Sequence, residues 1–209
     1  MGRRHRKGRS NGYQVRGPKG NQQASRLSQH LDRGGQIQEF ESRLEQVSHS
    51  IPGVPNKQQD YRLDKVWAWK GGLSTGFPGP VKFPLFHGTK EGNVGSIGIR
   101  RFRLPDTRGM FGKAVYLTPD LPKALNYTGG SKAAVVLVVE ASLGRVRVME
   151  AADKSLDLEE AKKQGFDTAH GKAGKTPSWG GTLAYSEFAV YDTRRILLRY
   201  ILEYIWVTS

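Results

Sequence analysis

Residues 133–141 read Ala-Ala-Val-Val-Leu-Val-Val-Glu-Ala, an apolar run broken by one late charge. The run is far shorter than the roughly 18 apolar residues a membrane span needs. It has no polar face, so it predicts a central strand buried on both sides. Such a strand needs partners on both edges. Tyr61 to Lys70 alternates at period two, which predicts a second strand. Short apolar stretches at 83–86, 114–117, 146–149, 187–192 and 196–207 supply more. Many short strands with three or four short helices predict an α+β domain over about 58–209.

The connectors are read from spacing and caps. Ile37, Phe40, Leu44, Val47 and Ile51 recur at three and four residues, which predicts an amphipathic helix over 36–51. Pro52-Gly53-Val54-Pro55 ends it, so 36–57 is expected to be a helix plus linker docked on the main domain. Thr89 is expected to cap a short helix with Val94 and Ile97 inward. Thr118 and Pro119 are expected at the N-cap and N1 of another helix that ends near Tyr127. A short helix is expected at 156–164, closed by Gly165. Residues 71–80, 98–112 and 166–185 read as loops, the second strongly basic.

Charge is placed unevenly. The net charge is +14; residues 1–35 hold nine Lys/Arg against Asp32 alone, a net +8. That segment is rich in Arg, Gly, Gln and Ser and predicts a disordered arm. Arg3-Arg4-His5-Arg6-Lys7-Gly8-Arg9 suits a nucleic acid, another polyanion or a nuclear-import signal. A solubilising tail explains the same residues, because phosphate attraction carries no sequence information. Hydrophobic content of 37% and mean hydropathy of −0.56 agree with a partly unfolded chain. No secretory signal pattern or membrane span is present, and the absence of cysteine removes any disulfide framework. An intracellular place, nucleus or cytoplasm, is expected.

The chemistry-bearing residues are few. His87 ends the short strand 83–86 beside Gly88 and Thr89, a position from which a side chain reaches a cleft. No second histidine stands at metal-ligand spacing, so no zinc pattern is read. No GxSxG, GxGxxG or Walker motif occurs. Taken singly, His87 fits a structural histidine, Tyr116 and Tyr127 fit core packing, and Glu187 fits a strand-edge charge. Together they suit an aromatic slot with a polar floor.

Four blocks carry more. They are Phe86-His87-Gly88-Thr89, Gly109-Met110-Phe111-Gly112-Lys113-Ala114-Val115-Tyr116-Leu117, Lys123-Ala124-Leu125-Asn126-Tyr127 and Tyr185-Ser186-Glu187-Phe188-Ala189-Val190-Tyr191-Asp192. In this order they resemble the catalytic domain of poly(ADP-ribose) polymerases, the diphtheria-toxin-like ADP-ribosyltransferases. Phe166-Asp167-Thr168 and Arg199-Tyr200-Ile201-Leu202 extend the resemblance, which covers roughly 61–206.

The resemblance implies two small, mostly antiparallel sheets flanked by short helices around an NAD+ cleft. It implies a catalytic triad of His87, Tyr116 and Glu187. His87 is then expected to bond the adenosine ribose, and Gly88 the nicotinamide carboxamide through its backbone. Thr89 and residue 124 complete the NAD+ contacts. Tyr116 and Tyr127 sandwich the nicotinamide ring, and Glu187 contacts the nicotinamide ribose hydroxyl. NAD+ is the substrate, and the chemistry requires no metal. The acceptor is a protein or a nucleic acid, with mono-ADP-ribosylation or short chains favoured. A carboxylate near the reacting ribose suits that chemistry, because it stabilises oxocarbenium-like charge in the transition state.

Two departures stand out. The serine that family members place before the Asn-Tyr pair is Ala124 here, which removes one carboxamide bond. No helical regulatory domain of the usual size is expected before the transferase, so autoinhibition of that kind is not expected. Two other readings compete. One is a catalytically weak relative that binds NAD+, ADP-ribose or nucleic acid through its arm. The other is an RNA 2′-phosphotransferase, which suits the charge but lacks this Tyr/Glu pairing.

Overall fold

A computed structural model describes residues 27–28, 31, 35–47, 50–58, 60–71, 76, 79, 81–129, 133–175 and 182–207. Two sheets dominate it. The larger is built from β1 (Leu44–Val47), β2 (Lys57–Gln58), β3 (Tyr61–Trp69), β4 (Val81–Gly88), β6 (Ala133–Ser142) and β12 (Ile196–Trp206). Its order is β1-β3-β12-β6-β4, with β2 on β3, and every pair is antiparallel. The smaller sheet has the order β5-β11-β8-β7, from β5 (Val115–Leu117), β11 (Glu187–Val190), β8 (Thr168–Gly171) and β7 (Val146–Val148). Only its β7–β8 pair is parallel. A ribbon of β9 (Gly174–Lys175) and β10 (Thr182–Leu183) stands apart.

The apolar run is the inner strand its composition demands. β6 lies between β12 and β4. Val135, Leu137, Val139 and Ala141 enter one core cluster, while Ala134, Val136 and Val138 enter another. The second sheet covers the first of these faces, since Val115, Leu117, Phe188 and Val190 belong to the same cluster. Polar groups in β12 are satisfied rather than solvated. Arg199 donates to Glu140 at 2.9 and 3.1 Å, and the buried Glu203 accepts from Trp67 Nε1 at 2.6 Å.

Backbone hydrogen bonds also tie the two sheets together, at the place that positions the site. Phe86 of β4 and Thr118 exchange backbone hydrogen bonds of 2.7 and 3.0 Å. The end of β4 is thereby pinned to the end of β5. Short helices among the described residues fill the gaps: α1 (Gly35–Ser42), α2 (Val94–Arg100), α3 (Leu121–Leu125) and α4 (Leu158–Lys163). Asp157 caps α4, accepting from the amides of Glu159 and Glu160 at 3.1 Å. No helix among the described residues is long and apolar enough to cross a membrane.

Several expectations need correction. The helix expected over 36–51 is α1 only; Leu44–Val47 is a strand on the edge of β3. On a helix Leu44 and Val47 would share a face, but on a strand they point oppositely. Leu44 packs against one core cluster and Val47 against the other. Pairing with β3 thus outweighs the helical spacing, and 36–57 adds strands to the main sheet rather than docking on it. The disordered reading of 1–35 fails at its far end, where Leu27 and Leu31 are buried in the core. Residues 1–26 lie outside the described residues, as does most of the 71–80 loop.

The caps shift as well. Thr89 caps nothing: a short 3-10 turn at Glu91–Asn93 precedes α2, whose N-cap is Asn93. α3 starts at Leu121 with Asp120 as its N-cap and Pro122 in its first turn, and it ends at Leu125. Thr118 instead accepts from the Asp120 amide at 3.0 Å. The 166–185 loop contains β8, an inner strand of the smaller sheet. The expected helix at 156–164 and strand at 146–149 are found nearly in place.

Phe40 tests whether the N-terminal elements belong to the domain. It is fully buried, 5.4 Å from the Trp69 ring, and α2 approaches it at Gly98. Phe40→Ala is expected to lower unfolding free energy by about 3–5 kcal/mol in urea titrations. A change below about 1 kcal/mol would mean that α1 is a detachable appendage.

Candidate active site

The junction of the sheets opens a cleft of about 1060 Å3. That is at the upper end of cavities that hold small molecules, roughly 300–1,000 Å3. His87, Gly88, Thr89, Tyr116, Ala124, Tyr127 and Glu187 all line it. The seven residues singled out in the sequence therefore converge, although they span a hundred positions.

His87 stands at the end of β4, and its Nδ1 lies 3.0 Å from the Tyr116 carbonyl oxygen. A carbonyl can only accept, so Nδ1 carries the proton. Burial lowers the His87 pKa from 6.5, with the carbonyl acting weakly in the opposite sense. The ring is thus neutral near pH 7, and its Nε2 is left as an acceptor for a hydroxyl group. Phe102 meets the His87 ring edge-on at 5.3 Å and fixes its plane.

Gly88 is required by close approach. A Cβ there would lie 1.8 Å from the Ala124 carbonyl oxygen, so only glycine lets β4 pass under α3. Thr89 is buried and accepts from Asn93 Nδ2 at 3.2 Å. Ala124 is 1% exposed.

The tyrosines differ. The Tyr116 hydroxyl accepts from the Phe111 amide at 2.8 Å and donates to the Gly112 carbonyl at 3.1 Å. Burial is the main reason its pKa is pushed up to about 12, with the Glu187 and Tyr127 charges adding to it. Its hydroxyl is engaged and protonated, which leaves the ring for contact. Tyr127 is 63% exposed and stands free past the end of α3.

Glu187 begins β11, paired with Gly171 of β8, and is 5% exposed. Its backbone is gripped from α3 and β5: the Ser186 amide donates to Asp120 at 3.2 Å, and the Thr118 hydroxyl to the Ser186 carbonyl at 2.7 Å. Its Oε2 accepts from Lys123 Nζ of α3, and both side chains are largely buried. Sequence reasoning gave Lys123, Asp120 and Thr118 no part in the site. Lys123 stood in a quoted block, but its contact spans 64 residues and leaves no local signal.

The far wall is basic. Arg101 has φ 64 and ψ 177, and it is the one described non-glycine residue with positive φ. Holding it in this sparsely populated region costs about 1–3 kcal/mol. The turn delivers Phe102 to the His87 ring.

A family model of the poly(ADP-ribose) polymerase catalytic domain matches residues 28–205. The chain belongs to the poly(ADP-ribose) polymerase catalytic-domain family. Among curated relatives, Poly [ADP-ribose] polymerase 1 of Xenopus laevis is 27% identical over 145 residues, 57% of this chain and 14% of that protein. Poly [ADP-ribose] polymerase 2-B of Oryza sativa subsp. japonica is 30% identical over 147 residues, 57% of this chain and 24% of its own length. Protein mono-ADP-ribosyltransferase PARP4 of Homo sapiens is 28% identical over 136 residues, 58% of this chain and 8% of that protein. The chain thus spans at most about a quarter of these relatives. The family match begins before α1, in keeping with the place of Leu31 and α1 in the core.

His87 gives this polymerase-family domain a pH dependence. Its folded pKa is depressed, so the unfolded chain binds more protons below about 6.5. Stability is fully present above that pH and declines as pH falls below it. His170 acts in the same sense, chiefly through burial, with Lys82 and Lys172 adding to it. Urea titrations are expected to show unfolding free energy falling from about pH 7.5 to 5.5, with a shallower slope in His87→Gln. An equal slope in that variant would show that His87 is not held neutral.

Proposed function

We propose that the chain is an NAD+-dependent ADP-ribosyltransferase that cleaves the nicotinamide–ribose bond and passes ADP-ribose to an acceptor. The observation that carries this reading is the convergence of His87, Gly88, Tyr116, Tyr127 and Glu187 on one cleft in a domain of this family.

The roles are those the family resemblance implies, and the geometry of the cleft supports them. His87 Nε2 accepts a hydroxyl of the adenosine ribose. Gly88 offers its backbone to the nicotinamide carboxamide, in a gap that no side chain can fill. The Tyr116 and Tyr127 rings hold the nicotinamide plane and limit its orientation. Glu187 faces the nicotinamide ribose. As the bond to nicotinamide breaks, positive charge grows on that ribose, and the carboxylate stabilises it there more than in the ground state. Its burial strengthens the effect.

The reaction is a glycosyl transfer, and mono- or short-chain modification is the favoured outcome. Residues 1–35 draw the protein to polyanions, and the site of action is the nucleus or cytoplasm. Ala124 favours a second reading, a binding module with weak catalysis, because its side chain can offer no bond to the carboxamide. Incubation with NAD+ labelled in its adenylate phosphate separates the two. The first reading expects label on protein or nucleic acid. Reversible NAD+ binding with no transfer and no nicotinamide release would leave only the second.

A further inference from the structure

The smaller sheet ends in an open edge. β7 pairs with β8 on one side, in register from Val146 with Thr168 to Val148 with His170. Nothing among the described residues pairs with its other side. No proline or bulge interrupts the strand to close that edge.

The main chain of β7 shows which groups the edge presents. Successive residues of a strand turn their amides and carbonyls to opposite sides. The Arg145 carbonyl accepts from the Asp167 and Thr168 amides at 2.8 and 3.2 Å, and the Met149 amide donates to the His170 carbonyl at 2.9 Å. Odd-numbered residues therefore serve β8. Val146 and Val148 turn their amides and carbonyls outward, two donors and two acceptors in a row.

The side chains alternate too, and they sort by chemistry. Val146 and Val148 share one face and are 39% and 55% exposed. Arg145 and Arg147 take the other. Arg147 lies over the Phe166 ring at 5.4 Å and donates to Gln164 at 2.5 Å, yet it is exposed. Arg145 reaches Asp167 with its side chain 67% exposed. Glu150 falls past the end of the strand. A strand laid on this edge would thus meet apolar groups on one face and cations on the other. A second copy of the chain suits it poorly. It would bring Arg145 and Arg147 near their own kind, and the net charge of +14 opposes self-association.

We infer that the open edge of β7 is a docking site for an extended segment of a partner protein in which acidic and apolar residues alternate. The segment adds a strand to the smaller sheet, its main chain bonded to Val146 and Val148, its apolar residues on the valines and its carboxylates beside Arg145 and Arg147. The site is separate from the cleft. Neither valine lines the cleft, and β8 and β11 stand between β7 and β5.

The test follows fluorescence anisotropy of a labelled peptide of alternating glutamate and valine, added to the full chain. Saturable binding is expected, unaffected by excess NAD+. A peptide of alternating lysine and valine should bind at least about tenfold more weakly, since its charges meet Arg145 and Arg147 as like pairs. Two further glutamate–valine peptides carry N-methyl groups on alternate residues, one in each phase. Methylation in one phase only should abolish binding, because a strand held along one edge turns alternate amides away. Val148→Pro removes an outward amide that the fold does not use, and it should weaken binding about tenfold. Arg147→Glu leaves the main chain intact and should weaken it about fivefold. Equal binding of both methylated peptides would mean attraction by charge alone and overturn the inference. Displacement by NAD+ would place the peptide in the cleft and overturn it as well. A dimer in sedimentation that Val148→Pro dissolves would give the edge to a second copy instead. Undiminished binding in Arg147→Glu would remove the edge as the place of docking.

Discussion

Glu187→Gln is expected to lower the rate of nicotinamide release from NAD+ by roughly 10²–10³-fold, the scale set by loss of one preorganised electrostatic group. The side chain is 5% exposed and fixed at the start of β11. Glutamine keeps the shape and still offers Lys123 an oxygen, so the pair is not replaced by a bare buried cation. What it lacks is the charge that meets the developing oxocarbenium. The loss should therefore appear in kcat, while the dissociation constant of NAD+ stays within about tenfold. Steady-state kinetics with binding by calorimetry measure both. Wild-type kcat in the variant would remove Glu187 from the chemistry. A large loss of NAD+ binding with kcat retained would assign it to ground-state binding instead.

The second large effect is expected at Gly88. An added methyl would sit 1.8 Å from the Ala124 carbonyl oxygen and 3.0 Å from the Tyr127 Cβ. The obstacle is backbone, and that carbonyl already accepts from the Tyr127 amide at 3.0 Å. Relief requires β4 and α3 to separate, which opens the slot between Gly88 and the tyrosines. Gly88→Ala is expected to cost about 1–3 kcal/mol, as other overpacked sites do. Each kcal/mol lowers the melting temperature by roughly 2–4 °C in a domain of this size. Saturable NAD+ binding should disappear even where the variant remains folded by circular dichroism. A folded variant that binds NAD+ normally would mean that the cleft floor lies elsewhere.

How far the sequence showed this arrangement depends on whether a contact leaves a local trace. The inner strand β6 was legible because burial on both faces forces an apolar run over 133–141 that only Glu140 breaks. The residues of the four blocks were legible as a set, and the fold brings them to one cleft. The stretch 36–51 misled because its three- and four-residue spacing continues through Arg43, where α1 gives way to β1. Only the edge of β3 decides that change, and that edge is distant in sequence. Likewise β8 reads Thr-Ala-His-Gly, with no run or alternation to mark it, and it is a strand because β11 and β7 flank it. Leu27 and Leu31 were hidden by their polar surroundings, although four-residue spacing was their signal. Lys123 was hidden in another way. A surface lysine and a buried ion-pair partner look alike until α3 is placed against β11.

The most direct measurement is nicotinamide released from NAD+ by the full chain, followed by chromatography beside Glu187→Gln. The cleft described above predicts steady release by the wild type, with label appearing on an acceptor in step, and release lower by two to three orders of magnitude in the variant. NAD+ left intact by the wild type, or nicotinamide released equally by both proteins, would contradict it.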